Sequence, residues 1–216
     1  MTEECKSWKE YKFDQFENNS FDYLVDIGAC VGDISSRFAE ANPNAEIFAY
    51  EPCISNYKTL VINTKKFPNV ITFNKALGNG NYLYFKDSRR EERHMFLENN
   101  ENHSYKIQSI TLYDIIFFHS INLRKKCAIK VDCEGGERFL LNDKKSEDII
   151  KRCFHFTMEV HFKHAGRGNP RFNHFPEWEV YDNWINGFKE THNITYWYSN
   201  RHNGVGVYVL SKKETI

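Results

Sequence analysis

The stretch Tyr23–Leu24–Val25–Asp26–Ile27–Gly28–Ala29–Cys30–Val31–Gly32–Asp33 decides how the rest of the chain is read. An apolar, strand-forming run meets an acidic residue, crosses two glycines and enters a helical segment. Such a unit brings backbone close to a ligand, because glycine lacks the Cβ that would hold a nucleoside off the main chain. About one βαβ unit downstream, the apolar run Ala45–Glu46–Ile47–Phe48–Ala49–Tyr50 closes on Glu51. A carboxylate at that strand end can accept both hydroxyls of a ribose. The two features together predict a nucleoside cofactor; taken alone, the first is equally an ordinary βα turn.

The loop also discriminates between cofactors. Dinucleotide folds use G-x-G-x-x-G, because the pyrophosphate must rest on a helix N-terminus. Here Cys30 stands where the middle glycine would be, and Asp33 puts negative charge into the first helical turn. S-adenosylmethionine carries no phosphate, and its methionine end bears an ammonium and a sulfonium that Asp26 suits. The loop therefore favours S-adenosylmethionine over NAD.

Composition bounds the rest. The chain has 216 residues and a formal net charge of zero, enough for one α/β domain with a full core. That balance gives no global attraction to nucleic acid or membrane. The six cysteines (5, 30, 53, 127, 133 and 153) form no CxxC pair, which fits free thiols in a reducing compartment. The start, Met1–Thr2–Glu3–Glu4–Cys5–Lys6, is too polar for a signal peptide, and no apolar run reaches membrane-spanning length. A cytoplasmic enzyme is expected.

Periodicity and breakers predict strands at 22–27, 45–50, 70–74, 82–86, 127–132 and 153–160, with a terminal antiparallel pair at 194–198 and 204–210. Helices are predicted over 33–41, 54–66, 111–118 and 177–189, with shorter ones from Gly136 and over 147–151. Residues 1–21 read as a docking segment, 22–162 as the cofactor-binding core, 163–190 as a substrate or lid insertion and 191–216 as the terminal strand pair of a single domain. Residues 87–104 read as a surface loop. The alternation predicts an α/β fold with a mostly parallel seven-stranded sheet, helices on both faces and an antiparallel edge.

The second dense signal is Ile129–Lys130–Val131–Asp132–Cys133–Glu134–Gly135–Gly136–Glu137. Period-two alternation puts Lys130 and Asp132 on one strand face, with Glu134 in the turn. On the next strand, Glu159 and His161 share a face. Neighbouring strands would converge all five beyond the sheet. Asp132 or His161 could then act as a general base on a hydroxyl. Alternatively, Asp132, Glu159 and His161 could hold a divalent cation, although no metal is predicted. A third reading is a structural ion-pair network that only shapes the pocket, with Lys130 its readiest member.

These motifs, with Tyr50–Glu51–Pro52, Ala76–Leu77–Gly78 and Ile110–Thr111–Leu112–Tyr113–Asp114, resemble the FkbM-type family of S-adenosylmethionine-dependent methyltransferases. The resemblance implies a class I, Rossmann-like methyltransferase fold and, usually, O-methylation of sugar or other natural-product hydroxyls. It implies cofactor roles for Asp26, Gly28, Gly32 and Glu51. Cofactor contacts are expected also from Ala29, Cys30 and Asp33 in the loop, from Pro52, Ala76 and Leu77, and from Asp132. Lys130, Asp132, Glu134, Glu159 and His161 are the catalytic candidates. Cys30 stands where the family commonly has Asn.

Specificity should come from additions to the core. The segment 162–190 holds His164, Arg167, Arg171, Phe172, His174 and Phe175, with Trp178, Tyr181 and Trp184 at the spacing of one buried helix face. Lys86, Arg89, Arg90, Arg93 and His94 form a basic cluster, more simply a solvated face than a phosphate site. The expected partner is a small-molecule or glycan hydroxyl. Two rivals remain at this point: RNA ribose 2′-O-methylation and a catalytically silent cofactor-binding module in a complex. NAD-dependent oxidoreduction is more distant.

Overall fold

The computed structural model describes residues 6–86, 95–97, 105–163, 175–200 and 204–213. Strand β1 (Tyr23–Ile27) lies between β2 (Glu46–Tyr50) and β8 (Cys127–Val131), parallel to both. The sheet continues through β3 (Val70–Phe73) on one side. On the other run β9 (His155–His161), β11 (Val205–Lys212) and β10 (His192–Asn200), in the order β10-β11-β9-β8-β1-β2-β3. Strand β11 runs antiparallel to both of its neighbours, β9 and β10. The predicted seven-stranded, mostly parallel sheet with an antiparallel terminal pair is the observed one.

Both faces of this sheet are covered, so its central strands are apolar nearly throughout. One face takes α4 (Leu112–Phe118), α5 (Lys144–Arg152) and α6 (Trp178–Asn186) against Val25, Ile129 and Phe156. The other takes α2 (Asp33–Ala41) and the N-terminal segment, whose Trp8, Tyr11 and Phe13 pack with Phe21, Leu24 and Phe38. Trp8 belongs to α1 (Lys6–Glu10), and α3 (Ile54–Thr64) brings Leu60 against Ala29 and Ala49. Thr111 caps α4 as expected, accepting from the Asp114 N–H at 3.0 Å. Tyr181 is fully buried, with Trp178 and Trp184 packed against the same core, so these aromatics form a helix face.

Three sequence expectations are corrected. The predicted loop 87–104 contains strand β6 (Met95–Leu97), part of a second sheet of order β4-β7-β5-β6. Its other strands are β4 (Ala76–Leu77), β5 (Tyr82–Lys86) and β7 (Tyr105–Ile110). The alternation Tyr105–Ile107–Ser109 was a readable strand signal. The helix expected from Gly136 is a 3-10 turn, Gly136–Leu140. The one expected over 147–151 starts earlier, because Asp143 caps α5 by accepting from Lys145 and Ser146. Arg89, Arg90, Arg93 and His94, and His164, Arg167, Arg171, Phe172 and His174, lie outside the described residues.

Candidate active site at the carboxyl ends of the central strands

From β1 the chain goes to β2 and β3 on one side and returns through β8 and β9 on the other. The crevice beyond β1 and β8 is therefore the topological switch point, where open α/β sheets take ligands. The two strand-end loops are fastened together there. The Asp132 N–H donates to the Ile27 carbonyl at 3.0 Å, and Lys130 Nζ donates to the Gly28 carbonyl at 2.6 Å. Gly28 has φ +77°, and a Cβ on it would lie 1.7 Å from the Asp132 carbonyl oxygen. Its requirement for glycine therefore comes first from this backbone approach.

Asp26 and Lys130 are register partners on neighbouring strands. Their ion pair, Nζ to Oδ1 at 3.2 Å, is buried on both sides. Ser35 Oγ, from α2, donates to Asp26 Oδ2 at 2.6 Å. Burial alone would push the Lys130 ammonium's pKa down; Asp26 and Asp132 outweigh that and hold it above its ordinary value. Asp26 has no exposed surface. In this structure its carboxylate lies against Lys130 and Ser35. Lys130 is held as the cation of this pair.

Glu51 closes β2, as expected. Oε2 accepts from the Cys30 N–H and Oε1 from the Cys53 N–H, each at 2.8 Å. Burial raises its pKa to about 7, against the two backbone donors. Cys30 sits at φ +52°, a left-handed conformation that Asn tolerates better than Cys. Burial, and then Glu51, push its thiol up to about 12, so it stays protonated at neutral pH. Beside Gly28, the side chains of Pro52, Ala76, Leu77, Leu83 and Phe85 line an apolar cleft with Cys133. Four expected cofactor residues thus come together: Gly28, Pro52, Ala76 and Leu77. Ala29 is buried, and Gly32, at φ +93°, precedes α2. Asp33 is exposed on the first turn of α2.

Past β8 and β9, the other candidates converge on the face covered by the N-terminal segment. Tyr11 Oη donates to Asp132 Oδ2 at 2.8 Å, and Lys130 Nζ lies 3.9 Å from the same oxygen. Asp132 remains partly exposed. His161 is buried; its Nε2 lies 3.5 Å from Glu159 and 3.6 Å from Glu134. Glu137 Oε1 accepts from the His161 N–H at 2.6 Å and meets Nδ1 at 2.9 Å. Burial would push the His161 pKa down, but the carboxylates of Glu137, Glu134 and Glu159 raise it well above its ordinary value. The three carboxylates thus favour the imidazolium form. Burial, then Asp132, raise the Glu159 carboxyl to about 8.

Sequence reasoning missed three residues of this constellation. Tyr11 was legible only as an aromatic of the docking segment. Glu137 stood inside the quoted motif, yet nothing local said that it would turn back under His161. Ser35 was hidden among ordinary helix residues.

The Methyltransferase FkbM domain matches residues 26–189, which span the glycine loop, Glu51, the Lys130–Glu137 block and His161. The chain belongs to the FkbM methyltransferase family. It is a methyltransferase, and its cofactor is S-adenosylmethionine. No functionally curated protein matches its sequence significantly. Among solved structures it is similar to a protein described as an rRNA methylase from Clostridium thermocellum (8% identity, 99% of this chain and 100% of that one, TM-score 0.58). It is also similar to a Streptococcus mutans protein described as a methyltransferase and solved with S-adenosylhomocysteine (7% identity, 99% and 100%, TM-score 0.55). Identities this low speak for the class I methyltransferase fold alone. Among the described residues, no helix is long and apolar enough to cross a membrane.

The residues present fit the cofactor of an FkbM methyltransferase. A strand-end carboxylate stands beside an apolar cleft, and the loop offers no phosphate cradle. The Glu51 pKa gives this fit a pH signature. If the ionised carboxylate is what accepts the ribose hydroxyls, S-adenosylhomocysteine affinity should weaken roughly tenfold per pH unit below about 7. Folding runs the other way. A carboxyl raised in the folded state favours the protonated fold, so its contribution is present below the ordinary carboxyl pKa and lost as pH rises toward 7. Calorimetric titrations at pH 6 and 8, beside urea melts of the free protein, read both trends. Affinity flat across that range would rule out Glu51 as the titrating contact.

Proposed function

We propose that this FkbM methyltransferase transfers a methyl group to a hydroxyl of a sugar, glycan or other natural product. The observation that carries the reading is Asp132: a partly exposed carboxylate at the end of β8, oriented by Tyr11 and standing beside the glycine loop. Bound S-adenosylmethionine supplies an electrophilic methyl group on a sulfonium. Glu51 would hold its ribose hydroxyls, with the base in the cleft between Pro52, Ala76 and Leu77. Asp132 would accept a hydrogen bond from the acceptor's hydroxyl and take its proton as the oxygen attacks. Lys130 and Asp26 keep the two loops in register, and Glu137 fixes the ring of His161.

RNA ribose 2′-O-methylation gains nothing from the site. The lysine it would use for acid–base work is buried against Asp26. The rRNA wording attached to distant structural neighbours does not reach this chain's acceptor.

The test begins with calorimetric titration of S-adenosylhomocysteine into the wild type and Glu51→Ala. Losing the ribose contacts should weaken binding by about 1.5–3 kcal/mol, at least tenfold. Turnover of labelled S-adenosylmethionine with hydroxylated acceptors follows, with RNA as the competing substrate. Methylation of RNA in preference to glycans or small hydroxyls would overturn the acceptor assignment.

A further inference from the structure

The end of β9 is built more elaborately than proton transfer to a single carboxylate requires. Asp132, Glu159 and His161 each bring one ligand atom within 4.8 Å of the others, and no ion is present. Exposed acidic groups gather for many reasons, but this group has a buried imidazole at its centre, and the imidazole is aimed. Glu137, itself fully buried, holds Nδ1 at 2.9 Å and the His161 backbone N–H at 2.6 Å. A carboxylate on the far ring nitrogen is the usual partner of a metal-ligating histidine, since it fixes both tautomer and ring orientation. Nε2 is thereby turned toward Glu159 and Glu134, at 3.5 and 3.6 Å.

Those separations bear on two readings. A charge-assisted hydrogen bond would close to about 2.7–2.9 Å. Adjacent ligands of a six-coordinate ion with bonds of about 2.1–2.4 Å stand about 3.0–3.4 Å apart. The observed spacing lies nearer the second. Asp132, Glu134 and Glu159 crowd one space, and Lys130, paired with Asp26 at 3.2 Å, reaches only Asp132 among them, at 3.9 Å.

We propose that Asp132, Glu159 and His161 bind one divalent cation, with Glu134 within reach as a further ligand. One imidazole with carboxylates suits Mn²⁺, which accepts both donor types. Its purpose rests on the hydroxyl-methylation reading: the cation would hold the acceptor's hydroxyl and lower its pKa, easing proton loss to the neighbouring carboxylate.

The experiment is Mn²⁺ titration of EDTA-treated protein, followed by the loss of the free-ion electron paramagnetic resonance signal, with and without S-adenosylhomocysteine. Wild type should take up one equivalent. Glu159→Gln, nearly isosteric, should bind it at least tenfold more weakly while still binding S-adenosylhomocysteine, which shows that the variant is folded. Absence of Mn²⁺ binding in a wild type that binds S-adenosylhomocysteine would overturn the cation and leave the methyltransferase reading intact. Equal Mn²⁺ binding by the variant would overturn the site. Mn²⁺ binding lost with Glu159, in a protein that binds no S-adenosylhomocysteine, would support the cation and overturn the cofactor reading instead.

Discussion

Asp132→Asn is expected to lower kcat by about 10²–10⁴-fold while S-adenosylhomocysteine affinity hardly moves. The substitution keeps volume and the ability to accept from Tyr11 Oη, so the N-terminal segment should stay seated. What it removes is the negative charge that draws the proton from the acceptor hydroxyl. That charge matters more in the transition state, as the oxygen becomes nucleophilic, than in the ground state, so the loss should fall on kcat rather than on KM. Tyr11→Phe separates orientation from charge. It keeps the Asp132 carboxylate but removes the hydrogen bond that orients it, and a smaller loss is expected. Single-turnover rates at saturating cofactor, beside calorimetry of the product complex, distinguish the cases. Asp132→Asn turning over at the wild-type rate would remove Asp132 from the chemistry.

The contrast between Asp132 and Tyr11 shows where sequence reading stops. Asp132 was legible because strand periodicity is local: Lys130 and Asp132 alternate onto one face whatever surrounds them. Glu51 was legible for the same reason, as the polar stop of an apolar strand. Tyr11 reaches Asp132 across 121 residues, and no local pattern encodes which strand end an N-terminal aromatic will cover. Glu137 lies three residues past Glu134, and the turn through Gly135, not its spacing, carries it under β9. The second sheet was missed because β5, β6 and β7 are separated by charged segments that read as loop. Roles were harder to read than positions. Asp26 reads from the sequence as an acidic residue ahead of the glycine loop, and nothing there says that its register partner on β8 is a lysine. In a parallel sheet that pairing depends on which strands become neighbours, and the chain between β1 and β8 says nothing of it locally.

That register pairing makes Lys130→Met the most damaging single change expected for the fold. Removing the ammonium strands the Asp26 carboxylate, fully buried, with the Ser35 hydroxyl as the one hydrogen-bond donor left to it among the described residues. Breaking one side of a buried pair costs about 3–5 kcal/mol, because the orphaned charge keeps its desolvation penalty. The link from β8 to the Gly28 carbonyl is lost as well. Asp26→Asn in the same chain should recover most of that loss, since a neutral amide at that position can accept from Ser35 without a counter-charge. Urea melts of the wild type, both single variants and the double variant close the cycle, provided the slopes agree. A large positive coupling would establish the pair as the brace that holds the glycine loop against the end of β8. If Lys130→Met instead melts with the wild type and loses only turnover, the lysine is a chemical participant and the brace lies elsewhere. The cycle also bears on why the pair is ionic at all: two apolar residues would fill the space, but neither could donate to a carbonyl at the turn where the cofactor loop begins.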